Sequence, residues 1–157
     1  MKLLLASEFA GFPLKKQILQ YLLDNGHEVI DVGQITEENK VRYPQAAANL
    51  AREIQKGTAA KGILVCGSGA GVGIVANKFK GVYCVTCESV YTADKIPFIN
   101  DANVLALGGN VVAPANAFAM VDAFLQNSFA KDAAPERREM LTDMLADVKK
   151  IEDENFK

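Results

Sequence analysis

Short, almost continuous apolar runs alternate along this chain with longer segments in which apolar residues recur every three or four positions. Runs of the first kind predict strands covered on both faces, and segments of the second kind predict amphipathic helices. The predicted strands are Lys2–Ala6, Glu28–Val32, Gly62–Cys66, Gly81–Cys87 and Asn103–Leu107. Because helical segments separate the strands, the pattern predicts an α/β fold with one parallel sheet covered on both faces.

The segments between the strands have the periodicity of helices. The predicted helices are Phe12–Asn25, a helix opened by Pro44, Ala70–Lys78, a short helix around Ser89–Ile96, and Pro114–Asn127, with a polar loop over Gln34–Val41. Pro135 opens a last helix whose apolar face carries Leu141, Met144, Leu145, Val148 and Ile151. Such a terminal helix packs either on its own sheet or on a second subunit, and the sequence leaves both open.

Composition narrows the class of protein. The chain has 157 residues, of which 50% are apolar and 23% charged, so we expect one globular domain over residues 1–157. A net charge of −2 gives no electrostatic reason for binding nucleic acid or an anionic membrane. The start MKLLLASEFAGFPLKK lacks a cleavage signal and no apolar stretch is long enough to cross a bilayer, so we expect a cytoplasmic protein.

Three cysteines, an odd number, argue against a disulfide framework. Cys84 and Cys87 have the CxxC spacing of metal and redox sites, but they lie in a predicted strand, where residues three apart face opposite sides. Zinc needs about four ligands, and His27 is the chain's single histidine. We therefore predict two core cysteines and no metal site.

The segment GILVCGSGAGVGIVANK, Gly62–Lys78, carries the clearest chemical signal. A buried strand ends at Cys66, and alternating glycines follow at Gly67, Gly69, Gly71 and Gly73. Glycine allows several main-chain N–H groups to point at one place, which makes a cup for an anion. A thiol at the edge of such a cup is placed to lose its proton and act as a base or nucleophile.

Two other interpretations of the glycines fit the sequence less well. A dinucleotide fingerprint fails because the third residue after Gly71 is Ile74, and the GxxxxGK[ST] phosphate loop is absent from the sequence. A tight strand-to-helix turn needs fewer glycines than the four found here. The anion cup is therefore favoured.

Polar or glycine-rich residues also follow the first and fifth predicted strands. They are Ser7–Phe9 and Gly108–Asn110. Because sites in parallel sheets form at the carboxyl ends of strands, we expect both segments to converge with Cys66 on one crevice.

The segments GILVCGSGAGVGIVANK and INDANVLALGG resemble the ribose-5-phosphate isomerase B and galactose-6-phosphate isomerase family of aldose–ketose isomerases. The resemblance runs from Lys2 to about Arg138 and includes Ala10–Phe12, Gly26–Gly33 and the pair Tyr43-Pro44. It implies a Rossmann-like three-layer sandwich with a five-stranded parallel sheet and a C-terminal helix. It also implies a homodimer or homotetramer whose sites form between subunits, with no metal or cofactor.

The resemblance also implies roles for individual residues. Cys66 would be the thiolate that moves a proton between C2 and C1 of a sugar phosphate through a cis-enediolate, and the N–H groups of Ser68, Gly69, Ala70 and Gly71 would hold the oxyanion. Residues expected to contact the substrate are Glu8, Phe9, Tyr43, Gly67, Ala70, Asn100, Arg137 and Arg138.

The chain departs from the family pattern at several of these positions. The family's Asp-His after the first strand is Glu8-Phe9 here, and its His-Asn before the fifth strand is Ile99-Asn100. Those two histidines handle phosphate or ring opening in the family, and both are absent. Asn110 stands where the family has an arginine after the fifth strand. Arg137 and Arg138 remain phosphate candidates, with Lys15 and Lys95 as other cations, although a surface helix explains the arginines equally well.

Three hypotheses follow. The favoured one is an isomerase for a sugar phosphate that needs little help with ring opening, such as a tetrose 4-phosphate. A pentose phosphate is the other possible substrate of this isomerase. The second is one subunit of a hetero-oligomeric galactose-6-phosphate isomerase, in which a sister chain supplies the missing groups. The third is a non-catalytic relative that binds sugar phosphates.

Overall fold

The fold is described from a computed structural model over residues 1–156. Five strands are present: β1 (Lys2–Ser7), β2 (Glu28–Asp31), β3 (Lys61–Cys66), β4 (Cys84–Thr86) and β5 (Val104–Gly108). The helices are α1 (Phe12–Asp24), α2 (Tyr43–Gln55), α3 (Ala70–Ala76), α4 (Val90–Asn100), α5 (Pro114–Gln126) and α6 (Pro135–Asn155). None of the helices within this range is long and apolar enough to cross a bilayer.

The strands form one parallel sheet in the order β2-β1-β3-β5-β4. Side chains alternate between the two faces, so Leu3 and Leu5 of β1 pack on one side while Leu4 and Ala6 pack on the other. Helices α1, α4 and α5 cover the first face, and α2 and α3 cover the second. The predicted Rossmann-like three-layer sandwich is confirmed.

Two elements differ from the sequence prediction by more than two residues at one end. Strand β4 is shorter than the predicted Gly81–Cys87 because the chain turns at Gly81, where φ is +77°, and the N–H of Tyr83 donates to the side chain of Asn103 at 2.8 Å. Helix α4 continues past Pro97 instead of ending at Ile96, and it stops only at Asp101, which has a left-handed φ of 54°. Burial of Ile96 and Pro97 offsets the hydrogen bond that proline removes.

The two cysteines of the CxxC spacing lie on opposite faces of the sheet, as predicted. Cys84 belongs to the apolar cluster under α2 and α3, whereas Cys87 belongs to the cluster under α1, α4 and α5. Both thiols are free. Burial is the main cause that raises the pKa of Cys84 to about 12 and that of Cys87 to about 11. Both cysteines are core residues, Cys84 in β4 and Cys87 directly after it.

Helix α6 packs only part of its apolar face. Leu141 and Leu145 are buried, and Glu152 accepts hydrogen bonds from the N–H of Gly81 at 2.7 Å and the hydroxyl of Tyr83 at 3.1 Å. The other apolar residues of that face are about half exposed, namely Met144 (50%), Val148 (47%) and Ile151 (59%). A stretch of apolar surface on α6 is therefore uncovered in the single chain.

Candidate active site

Three loops meet at the carboxyl edge of the sheet. The N–H of Gly109 donates to the carbonyl of Cys66 at 2.7 Å, and the N–H of Asn110 donates to the carbonyl of Gly67 at 3.0 Å. The loop after β1 closes on the same point, because a Cβ built on Gly67 would stand 3.6 Å from the Cβ of Ala10. The predicted convergence of these loops is confirmed.

Cys66 is the last residue of β3, and its side chain lies just below the glycine loop. The main-chain N–H of Gly69 donates to Sγ of Cys66 at 3.1 Å. Gly69 has a φ of +80°, which favours glycine, and this conformation turns its N–H back toward the sulfur. Cys66 is only 5% exposed and also packs in the apolar cluster under α2 and α3.

The glycine segment lies in contact with two neighbouring side chains. A Cβ on Gly71 would stand 3.0 Å from the ring of Tyr43, so this tyrosine at the start of α2 rests on the segment. On the other side the hydroxyl of Thr86 donates to the carbonyl of Gly69 at 3.1 Å. Tyr43 is 47% exposed, which leaves part of its ring available to a ligand.

Glu8 and Phe9 lie side by side after β1 and differ in burial. Glu8 is 5% exposed, and its Oε1 accepts a hydrogen bond of 2.7 Å from the N–H of Gly11. Its Oε2 makes no hydrogen bond to any residue that the structure describes. Phe9 is 52% exposed, and the ammonium of Lys40 lies 5.9 Å from its ring centroid.

A protein-family model matches most of the chain. The model described as ribose/galactose isomerase matches residues 3–141. The chain belongs to this family. The sequence prediction of an aldose–ketose isomerase is therefore confirmed.

Members of the ribose/galactose isomerase family resemble this chain over nearly its full length. It is 39% identical over 157 residues to 4-deoxy-4-sulfo-D-erythrose isomerase of Clostridium sp. (strain MSTE9), covering 100% of this chain and 99% of that protein. It is 38% identical over 141 residues to ribose-5-phosphate isomerase B of Escherichia coli (strain K12), covering 90% and 94%. The structure of Clostridium thermocellum ribose-5-phosphate isomerase B matches with a TM-score of 0.88 at 32% identity, covering 98% and 99%.

Within one chain of this isomerase, the predicted site residues fall into two groups. Those near Cys66 are Glu8, Tyr43, Gly67, Ser68, Gly69, Ala70 and Gly71, and Phe9 follows Glu8 in the loop after β1. Asn100 stands apart at the end of α4, where it lines an apolar cavity of about 400 Å³ together with Cys84 and Met144. Arg137 and Arg138 are exposed on the first turn of α6, where a guanidinium nitrogen of Arg137 lies 4.0 Å from the sulfur of Met140.

Both lysines named as anion candidates already have partners. Lys15 is 1% exposed and donates to the carboxylate of Asp31 and to the carbonyl of Gln34. Lys95 pairs with Asp94 at 2.6 Å. Of the alternatives left open for the phosphate, Lys15 is excluded because its ammonium is buried inside the fold.

Sequence reasoning missed Lys40 and Thr86. Lys40 lies in a polar loop, which has no periodicity to indicate where its side chains point. Thr86 lies in a strand, and the hydrophobic pattern there predicts a core residue. Its place at the carboxyl end of β4 could have indicated a site residue, because parallel sheets form their sites at that edge.

Proposed function

We propose that the chain interconverts an aldose and a ketose of four carbons that carries a terminal sulfonate or phosphate, with Cys66 as the base. The observation that carries this proposal is Phe9. A half-exposed phenyl ring occupies the position beside Glu8 where the family resemblance expects a histidine, and a phenyl ring neither gives nor takes a proton. Ile99 replaces the second expected histidine.

The chemistry of short sugars explains why such a site needs no acid or base for ring opening. A free tetrose closes to a five-membered ring through its hydroxyl at C4. A phosphate on that oxygen, or a sulfonate in its place, prevents closure, so the substrate is already an open chain. Two relatives act on such compounds by name: the sulfo-erythrose isomerase reported above and D-erythrulose-4-phosphate isomerase of Pectobacterium atrosepticum, 36% identical over 130 residues.

The geometry supports a proton transfer between adjacent carbons. Ionised Cys66 would take the hydrogen from C2 of the aldose, leaving a cis-enediolate, and would return it to C1, while the hydroxyl hydrogen passes from O2 to O1. The N–H of Gly69 already points at the sulfur. Main-chain N–H groups of Ser68 to Gly71 would stabilise the oxyanion, and each preorganised donor of this kind contributes about 3 kcal/mol. The unbonded Oε2 of Glu8 is free to accept a substrate hydroxyl.

A second copy of the chain would complete the site. Asn100 and the α6 arginines do not approach Cys66 within one chain, and α6 leaves apolar surface uncovered. We expect a homodimer or homotetramer, with a sister subunit as the alternative. Mixing the Cys66→Ser and Asn100→Ala variants tests this. In a two-fold dimer about half of the dimers contain one subunit of each variant, and each of these mixed dimers has one of its two sites intact. We therefore expect about a quarter of wild-type activity. No recovery would contradict a shared site, and an inactive pure homo-oligomer would favour the sister subunit.

The free cysteines support a reducing compartment. All three thiols of the chain are unpaired, which is typical of cytoplasmic proteins. A cytoplasmic location is therefore part of the proposal.

Solvent exchange tests the reaction directly. The protein is incubated in heavy water with 4-deoxy-4-sulfo-erythrose, erythrulose 4-phosphate, ribose 5-phosphate and galactose 6-phosphate, and deuterium is followed at C1 and C2. We expect exchange in a four-carbon substrate, reduced about 10²- to 10⁴-fold in Cys66→Ser because the base is lost. Good turnover of ribose 5-phosphate with no turnover of four-carbon compounds would refute the substrate. Equal rates for wild type and Cys66→Ser would favour a non-catalytic binder.

A further inference from the structure

The loop between β2 and α2 is held at both ends by one buried residue, Gln34. This side chain is 2% exposed. Its main-chain N–H donates to the carbonyl of Ser7 at 3.0 Å, and its Oε1 accepts the N–H of Val41 at 3.1 Å. The two ends of the loop are thereby joined to each other and to the carboxyl end of β1.

Lys15 fastens the same loop from below. Its ammonium donates to the carbonyl of Gln34 and to the carboxylate of Asp31, and the side chain is 1% exposed. Since a buried charge has to be paired, this ion pair holds the path of the loop in one arrangement. A residue next to the anchor at Val41 therefore has a well-defined Cα position.

Lys40 is that residue. Its ammonium faces the ring of Phe9 at 5.9 Å and has no carboxylate within 4.0 Å in the part of the chain that the structure describes. Lys16, in contrast, pairs with Glu37 of the same loop at 2.9 Å. Phe9 belongs to the loop after β1, whose Ala10 lies against the glycine segment, so the charge of Lys40 stands beside a loop that borders the proposed site.

We infer that Lys40 binds the terminal anion of the substrate, a sulfonate or phosphate, while Cys66 acts at its other end; this rests on the proposed function. An ammonium is a compact charge that bonds a tetrahedral oxyanion from any side. Its contact with an exposed phenyl ring is weak, so the charge is available to a ligand. Arg42, the other cation of the loop, also lacks a carboxylate partner among residues 1–156 and adds positive charge nearby.

Kinetics of Lys40→Met test the inference. Methionine keeps much of the stem that packs on Phe9 and removes the charge. We expect KM for a sulfonated or phosphorylated four-carbon substrate to rise about ten-fold or more, as for a lost hydrogen bond to a charged group, with kcat changed less than about two-fold. Turnover of uncharged erythrulose should not change, and Lys40→Arg should recover most of the affinity. Lys2→Met is the matched control, because Lys2 pairs with Glu28 at the opposite edge of the sheet.

A second readout does not depend on turnover. Inorganic sulfate should raise the unfolding temperature of the wild type and of Lys2→Met, and this shift should be smaller in Lys40→Met. Unchanged KM in Lys40→Met, or an equal loss with uncharged erythrulose, would overturn the inference while the proposed function stands. If the wild type turns over no four-carbon sugar, the proposed function is wrong, and an equal sulfate shift in all variants would then overturn the role of Lys40 as well.

Discussion

Replacing Gly11 by alanine should disturb the active site through the backbone alone. Gly11 precedes α1 with a φ of −83°, which any residue adopts. The problem is space: a Cβ at this position would stand 2.5 Å from the carbonyl oxygen of Val65, 2.6 Å from its carbon and 2.8 Å from the nitrogen of Cys66. These atoms belong to the end of β3 and cannot rotate away, so β3 or the start of α1 has to move.

The size of the movement follows from the contact. An ordinary van der Waals contact begins at 3.4 Å, so the carbonyl of Val65 has to lie about 0.9 Å further from the new Cβ. A misplacement of about 1 Å at a reacting group can cost about 10²-fold in rate. Inserting a methyl group into a packed region typically destabilises by about 1–3 kcal/mol. We therefore expect kcat/KM to fall about a hundred-fold in Gly11→Ala, with a moderate loss of stability.

Gly26→Ala is the matched control. Gly26 has a φ of +76° and nothing within 4 Å of its Cβ position, so the substitution strains the backbone by about 1–2 kcal/mol without touching the site. Urea unfolding and kcat/KM are measured for both variants. Both should lose stability, and only Gly11→Ala should lose activity. Wild-type kcat/KM in Gly11→Ala would refute the idea that this close contact positions Cys66.

Two further predictions concern stability. Lys15→Met should lower the free energy of unfolding by about 3–5 kcal/mol, because it leaves the carboxylate of Asp31 without its partner. Lys16→Met removes an exposed ion pair and should lower it by less than about 1 kcal/mol. Equal losses of unfolding free energy in the two variants, measured with urea, would contradict this. The contribution of the two buried thiols to stability should be complete below about pH 9 and fall as pH rises toward 12, since burial holds the pKa of Cys84 at about 12 and that of Cys87 at about 11, so the unfolded thiols ionise first. Burial lowers the pKa of Lys61 to about 8, which acts in the opposite direction between about pH 8 and 10.5, so the test is a difference between variants. Unfolding measured from pH 8 to 11 should show less loss of stability with rising pH in Cys87→Ala than in the wild type, and equal pH dependence of the two would contradict the reasoning.

Hydrophobic periodicity predicted the sheet and its helices because the central strands β1, β3 and β5 are buried on both faces and the helices that cover them are buried on one. The predicted boundaries of α4 and β4 differ most from the structure. The short helix expected around Ser89–Ile96 is longer in the structure, because Pro97 is buried and the helix continues to Asn100. The apolar run from Gly81 continued the β4 pattern, yet a positive φ at Gly81 bends the chain out of the sheet.

The candidate site was predictable as far as it is local in sequence. Cys66 and its glycines are contiguous, and the rule that sites form at strand ends brought Glu8 and Asn110 to them. Asn100 could not be placed in the same way, because it lies at the end of a helix, where it lines an apolar cavity with Cys84 and Met144. Lys40 was missed because its position depends on the hydrogen bond from Val41 to Gln34, seven residues apart and without a sequence pattern.

The closed loop between Gln34 and Val41 has a consequence for redesign of this enzyme. Because the anchoring bonds use a buried amide and the main chain, the exposed residues 35–40 carry little of the folding energy. They form an exchangeable cassette next to the loop after β1. Grafting the corresponding residues of another family member between the two anchors would change the charge of this loop while the sheet beneath keeps its shape.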